Sequence, residues 1–260
     1  MISFTKSADR ESPKILSIDA SENENSFALV IGHNVEDPDT GKRKTIIDGM
    51  FEVIPSKNKP CSYPDIYDEV IVPICQELNV GLTIIDRYPG GIQMVQQLDR
   101  DLGIPGIKRS AKYSDYAYFR QALFNGLVDI PKLEIPYEDA KKLADGGNYP
   151  FCFEKRPVAH MLIQALTIED ILGRKVDKGE GFTDDLFYAA VNLYAACNND
   201  DLADQFLGEQ PEDEVNNQQF IGSVGGEGLP SKSISVYGGD RVDSNGPRRE
   251  GGNMTIGVVG

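Results

Sequence analysis

Four aspartates stand at the ends of segments that the sequence marks as ordered. Asp19 closes the apolar run Ile15-Leu16-Ser17-Ile18, and Asp86 closes Gly81-Leu82-Thr83-Ile84-Ile85. Asp184 and Asp185 open a helix-forming run behind Thr183. Carboxylates at the ends of neighbouring strands can lie within bridging distance of one cation, and a late helix packed across the sheet can bring a third. Hard divalent cations such as Mg²⁺ take oxygen ligands and keep several waters. Two such ions about 3.5–4 Å apart would activate a water and stabilise the leaving oxygen of an in-line displacement. Taken singly, an acid at a strand end is more often a turn-former, and acids at a helix start satisfy the macrodipole. The order and placement of all of them favour a site.

The elements that must position these acids follow from periodicity. Ile15 to Asp19 reads as a strand. A polar turn at 21–25 leads into Phe27-Ala28-Leu29-Val30-Ile31, and a second turn at 36–41 leads into Thr45–Asp48 and on to Phe51–Ile54. Runs joined by short turn-rich loops predict an antiparallel three-stranded meander. The period then changes: Ile66, Val70, Ile71, Ile74 and Leu78 share one face of a helix over 64–78, with a kink expected at Pro73. The continuous apolar run 81–86 after it suits a buried parallel strand. Gly90 and Gly91 open a helix to Leu102, a short strand is expected over 104–107, and helices over 114–125, 137–144 and from Pro157 to Ile171. Thr183 is the expected N-cap of the helix from Asp184 to about Cys197. The fold class is therefore α/β, a mixed sheet of antiparallel meander plus parallel strands flanked by helices. Residues 1–13 read as a linker, 14–205 as the domain, and 206–260, with recurrent Gly-Gly pairs, as an acidic, disordered tail.

Composition narrows the class of protein. The chain has 260 residues, 40% of them hydrophobic, enough for a sizeable core. No apolar run approaches the ~18 residues of a membrane span, and the N-terminus lacks an apolar signal region. The four cysteines, Cys61, Cys75, Cys152 and Cys197, form no close pair and read as free thiols in a reducing cytoplasm. The net charge of −15 argues against an ordinary basic DNA-binding surface. Much of the excess lies in 200–214, which holds seven acids and no Lys or Arg.

The segments Ser17-Ile18-Asp19-Ala20-Ser21, Thr83 to Gly91 around Asp86, and Gly181-Phe182-Thr183-Asp184-Asp185-Leu186-Phe187-Tyr188-Ala189-Ala190 together resemble the RNase H-like nuclease superfamily. More closely they are similar to the C-terminal nuclease domain of the large terminase subunit of tailed bacteriophages, over about residues 14–200. That resemblance implies a divalent-metal-dependent DNA endonuclease that cuts concatemeric viral DNA during packaging in the host cytoplasm. The implied ligands are Asp19, Asp86, Asp184 and Asp185, holding two Mg²⁺ or Mn²⁺ ions. The implied partners are double-stranded DNA, an ATPase motor, a small terminase subunit and the portal. Two departures stand out. Tyr188 occupies the place where the family often has a further Asp, and G-x-x-x-x-G-K-[ST] is absent, so a nuclease domain without its motor half is expected. A junction resolvase and a non-catalytic scaffold are the alternative readings.

Other polar residues carry weaker expectations. Arg87, Lys108, Arg109 and Lys112 form a basic group that could hold DNA phosphates, although such groups are mostly solvated faces. His33 and His160 are expected to be ordinary half-buried residues, Asp48 and Asp115 local turn or cap residues, and Gly90-Gly91 purely structural.

Overall fold

The structure, a computed structural model, describes residues 3–4, 11–20, 26–38, 40–55, 61–86, 89–146, 155–171, 175–178, 183–199 and 207–208. Its centre is a mixed sheet of eight strands. The long strands are β2 (Lys14–Asp19), β3 (Phe27–Glu36), β4 (Arg43–Val53) and β5 (Val80–Ile85). β2, β3 and β4 pair antiparallel, as the meander pattern predicts, and β5 lies parallel to β2 on its other side. The short strand β6 (Gly106–Lys108) extends the parallel half. It begins two residues later than the sequence suggests, at Gly106, which packs so closely on Val95 that a Cβ there would lie 1.8 Å from that side chain.

Three two-residue strands complete the sheet. β1 (Ser3–Phe4) pairs with Met50 and Gly49 of β4, and β7 (Val128–Asp129) pairs with Thr45 and Ile46. β10 (Leu207–Gly208) runs parallel to Asn34 and Val35 of β3. Short pieces of the expected linker and of the expected tail thus join the sheet. Residues 1–2, 5–10, 206 and 209–260, like Arg87 and Cys152, lie outside the described residues.

Both faces of the sheet are covered, so both phases of the central strands are apolar. On one face, Leu16, Ile18, Leu29, Ile31 and Ile85 pack against α1 (Tyr63–Ile66), the π turn Tyr67–Ile71, α2 (Val72–Glu77) and α3 (Pro89–Leu102). The expected kink at Pro73 takes the form of that π turn. Val72 N–H closes a wider ring onto Tyr67 O just before the proline, whose ring would clash with a regular turn. On the other face, Ile15, Ala28, Val30, Met50, Leu82 and Ile84 pack against α4 (Tyr113–Phe124), α6 (Pro157–Thr167) and α7 (Asp185–Cys197). Helix α5 (Tyr137–Ala144) packs on α6 through a small third cluster.

The segment 168–171, expected to continue the helix from Pro157, instead forms β8 (Ile168–Ile171), which pairs with β9 (Lys175–Lys178) in a separate hairpin. The Thr167 hydroxyl bonds back to the Ile163 and Gln164 carbonyls at 2.9 and 3.2 Å and ends α6. Such back-bonding satisfies carbonyls that a further turn would otherwise use.

Candidate active site

Side chains alternate along a strand, so position decides which face an acid joins. Ile15 faces the α7 side; two and four residues on, Ser17 and Asp19 share that phase. In β5, Leu82 and Ile84 face the same side, which puts Asp86, directly after the strand, in phase with them. The register Ile18 to Ile85 sets Asp19 beside Asp86. Asp19 also pairs with Ala28, and Ala28 with Glu52. Asp86, Asp19, Ala28 and Glu52 therefore form one row across four strands, beneath the start of α7.

Close packing of the helices makes this row possible. Gly91, in the first turn of α3, lies where a Cβ would come within 2.5 Å of Ile85 Cδ1 and 3.1 Å of Ala20 Cβ. The Gly-Gly pair is thus structural, as expected: it lets α3 start hard against the ends of β2 and β5.

The acids act on one another. Burial raises the Asp19 pKa well above the usual carboxylate value. The charges of Asp185, Asp184 and Asp86, in that order, raise it further, while Lys178 lowers it. Asp184 is raised by burial and lowered by Lys178. Asp185 is raised by burial against the lowering effect of its Ser26 hydrogen bond. Lys178, on β9, was not singled out from the sequence; nothing local marks a lysine on a short exposed hairpin as the counter-charge of a distant cluster. Among the described residues, no three His, Cys, Asp or Glu side chains converge into a ready-made metal shell. The donor set is still all hard oxygen, and its mutual repulsion is what a divalent cation would neutralise.

Each acid has its own support. The Ser110 hydroxyl donates to Asp86 Oδ1 at 2.5 Å. Tyr188 directs its hydroxyl at the same carboxylate and accepts the Ala111 N–H at 3.2 Å; burial first, then the Asp86 charge, push its pKa up to about 12. Asp185 Oδ2 meets the Ser26 N–H at 3.1 Å and the Ser26 hydroxyl at 2.8 Å. Thr183 does not cap α7. The N-cap is Asp184, without a side-chain cap bond, and the Phe187 N–H is instead met by Gln164 Oε1 at 2.9 Å. A buried amide from α6 thus replaces the expected local cap.

The remaining expectations divide. Lys108 and Lys112 are exposed. Arg109 is engaged, donating to Asn192 Oδ1 and Asp115 Oδ2, each at 2.8 Å. Asp115 accepts the Lys112 N–H, as a cap residue should, and holds Arg109 as well. Asp48 is no turn residue: it is fully buried in β4 and bonded to His33 Nδ1 at 2.7 Å. His33 and His160 are 1% and 8% exposed, not half-buried, and each is paired with a carboxylate. Glu52, Ser26 and Gln164 escaped sequence reading. The available signal was an acid within a strand whose two phases are both apolar, since such an acid must find a buried partner.

The strand order defines a mixed α/β sheet covered by helices on both faces, with a row of acids where its antiparallel and parallel halves meet. The sequence matches no protein-family model and no curated protein. Among solved structures the chain is similar to the large terminase nuclease from thermophilic phage G20c, at 13% identity and TM-score 0.45, covering 75% of this chain and 87% of that one. It is also similar to that nuclease with bound magnesium, at 14% identity and TM-score 0.43, covering 75% and 86% of the two chains. A third is the HK97 bacteriophage large terminase, at 13% identity and TM-score 0.48, where the match covers 75% of this chain and 41% of that one.

A pH dependence follows from the raised carboxyls. A raised folded pKa means that the native state holds the proton more tightly than the unfolded chain. The associated stability is full below the unfolded aspartate pKa of about 3.9 and is lost as pH rises through the folded values. The metal-free protein should therefore lose melting temperature as pH is raised from about 4. Asp19→Asn, which removes the most strongly raised group, should flatten the curve. Calorimetry across pH tests this; equally steep curves for both proteins would contradict it.

Proposed function

We propose that this domain is a divalent-metal-dependent DNA endonuclease of the terminase type, which cuts concatemeric viral DNA during genome packaging in the host cytoplasm. The observation that carries the reading is the placement of Asp19 and Asp86 side by side on parallel strands, with the Asp184–Asp185 helix start close enough to raise the Asp19 pKa. Residues 14–205 are the catalytic unit in this reading, and the acidic segment 206–260 is a tail that either keeps the domain off DNA or docks on another packaging protein.

Asp19, Asp86, Asp184 and Asp185 would hold the Mg²⁺ or Mn²⁺ ions through carboxylate oxygens. Bound there, the ions would supply Lewis acidity at the scissile phosphate and lower the pKa of the attacking water. The chain's own residues do the positioning. Ser110 and Tyr188 fix the Asp86 carboxylate, and Ser26 fixes Asp185. Lys178 places a positive charge beside Asp19 and Asp184. The exposed Lys108 and Lys112 are free to meet backbone phosphates, whereas Arg109 is committed to Asp115 and Asn192. With few basic side chains near an acidic site, attraction to DNA is weak and independent of sequence. An ATPase motor, a small subunit and the portal would deliver the duplex.

The test is cleavage of several unrelated linear duplexes with Mg²⁺ or Mn²⁺ at graded salt. Cleavage of all of them is expected, with affinities on the order of 10⁻⁴–10⁻⁶ M that fall as salt rises. No cutting with either metal at high enzyme concentration would overturn the assignment. Nanomolar, salt-insensitive binding of a single sequence would overturn delivery by a motor.

A further inference from the structure

We propose that Ser26, Glu52, His160 and Gln164 form a buried bracket whose task is to position Asp185 and the first turn of α7. This rests on the metal-nuclease reading above. Glu52 sits in the row of Asp86 and Asp19, one strand beyond Ala28, and is 1% exposed. Both its oxygens are taken: Oε2 by His160 Nδ1 at 2.6 Å and Oε1 by the Ser26 hydroxyl at 2.5 Å. Ser26 then reaches Asp185 Oδ2 with its backbone N–H, while its hydroxyl oxygen lies 2.8 Å from the same atom, so that the single hydroxyl proton is shared between the Glu52 and Asp185 carboxylates. One helical turn along α6 from His160, and so on the same side of the helix, Gln164 accepts the Phe187 N–H and donates to Thr183 Oγ1, both at 2.9 Å. Gln164 thus holds both flanks of the Asp184–Asp185 helix start directly, and His160 supports Asp185 through Glu52 and Ser26.

Stability alone does not account for this arrangement. A carboxylate and an imidazole buried in a sheet core lose their hydration, and well-packed apolar residues of similar size are often as stable or more so. What the polar set gives that Leu or Phe would not is direction. The Ser26 contacts tie down Asp185 Oδ2 and leave Oδ1 outside them, while the Gln164 contacts hold Thr183 and the Phe187 N–H on either side of that residue. Supports of this kind typically change metal affinity or activity 10–100-fold when removed.

The experiment uses the full chain with Mn²⁺ as probe. Ser26→Ala, Ser26→Thr, Glu52→Gln and Gln164→Leu are compared with the wild type in Mn²⁺ titration calorimetry, in duplex cleavage at graded Mn²⁺, and in metal-free crystal structures. Ser26→Ala and Glu52→Gln should raise the Mn²⁺ midpoint about 10–100-fold, with maximal cleavage at saturating metal reduced less. Ser26→Thr, which keeps hydroxyl and N–H, should restore the midpoint, a recovery that a loss of packing would not show. In the metal-free Ser26→Ala structure the Asp185 carboxylate should leave its present position. Should Glu52→Gln fail to fold, Ser26→Ala decides. An unchanged midpoint and an unmoved Asp185 in folded Ser26→Ala protein would overturn the bracket. A wild type that neither binds Mn²⁺ nor cleaves would instead overturn the nuclease reading, and the position of Asp185 would still judge the bracket.

Discussion

Asp19→Asn is expected to reduce metal-dependent cleavage about 10³-fold while raising the melting temperature at neutral pH. The two effects share one origin. Asp19 lies beside Asp86 and under Asp184 and Asp185, and its pKa is raised by burial and by all three neighbours. The amide keeps the shape but lacks the charge, so both the desolvation penalty and the repulsion disappear. A bound ion contributes several kcal/mol of transition-state stabilisation, and each ~1.4 kcal/mol is tenfold in rate. Loss of a shared ligand should remove most of that. The measurement is a single-turnover cleavage rate at saturating Mn²⁺ beside a thermal melt. Full activity in the variant would sink the site. A lower melting temperature would show that the carboxylates are not repelling one another as described.

Phe187→Ala should have the largest effect on the fold, about 3–5 kcal/mol. Phe187 is fully buried two residues beyond Asp185, and its ring meets Phe119 at 5.6 Å and Tyr116 at 5.9 Å between centroids. Truncation removes these aromatic contacts and leaves a cavity between α4, α7 and the sheet, in the cluster that carries the row of acids. For a domain of this size the melting temperature should fall by about 10–15 °C. The backbone N–H that Gln164 accepts remains in place, so surviving protein should still bind metal. Denaturant unfolding gives the first quantity and Mn²⁺ titration the second. A loss under 1 kcal/mol would mean that the cavity collapses and that α7 is held mainly by its polar contacts.

The central sheet and the acids were legible because their signals are local. Ile15 to Ile18 and Leu82 to Ile85 are apolar in both phases apart from Ser17 and Thr83, and a strand buried on both faces reads as such a nearly continuous apolar run. The edges were not legible. Nothing around Ile168 breaks the helical period; the hairpin with Lys175–Lys178 is a pairing between segments that the local pattern does not announce. The supports of the site were hidden for another reason. Ser26, Glu52, His160 and Gln164 look like ordinary polar residues in four separate segments, and only tertiary packing gives them partners. Thr183 shows the same competition, a good local cap displaced by the amide of Gln164.

The contact between Ser26 and Asp185 spans 159 residues. A chain emerging from the ribosome therefore carries Asp19 and Asp86 long before the helix that completes their site exists. The first two acids can be folded into the sheet while the third is still being synthesised. If the domain is the nuclease proposed above, competence to cut would arrive as a late step, set by the order of segments along the chain, since loops that must close over such distances close slowly.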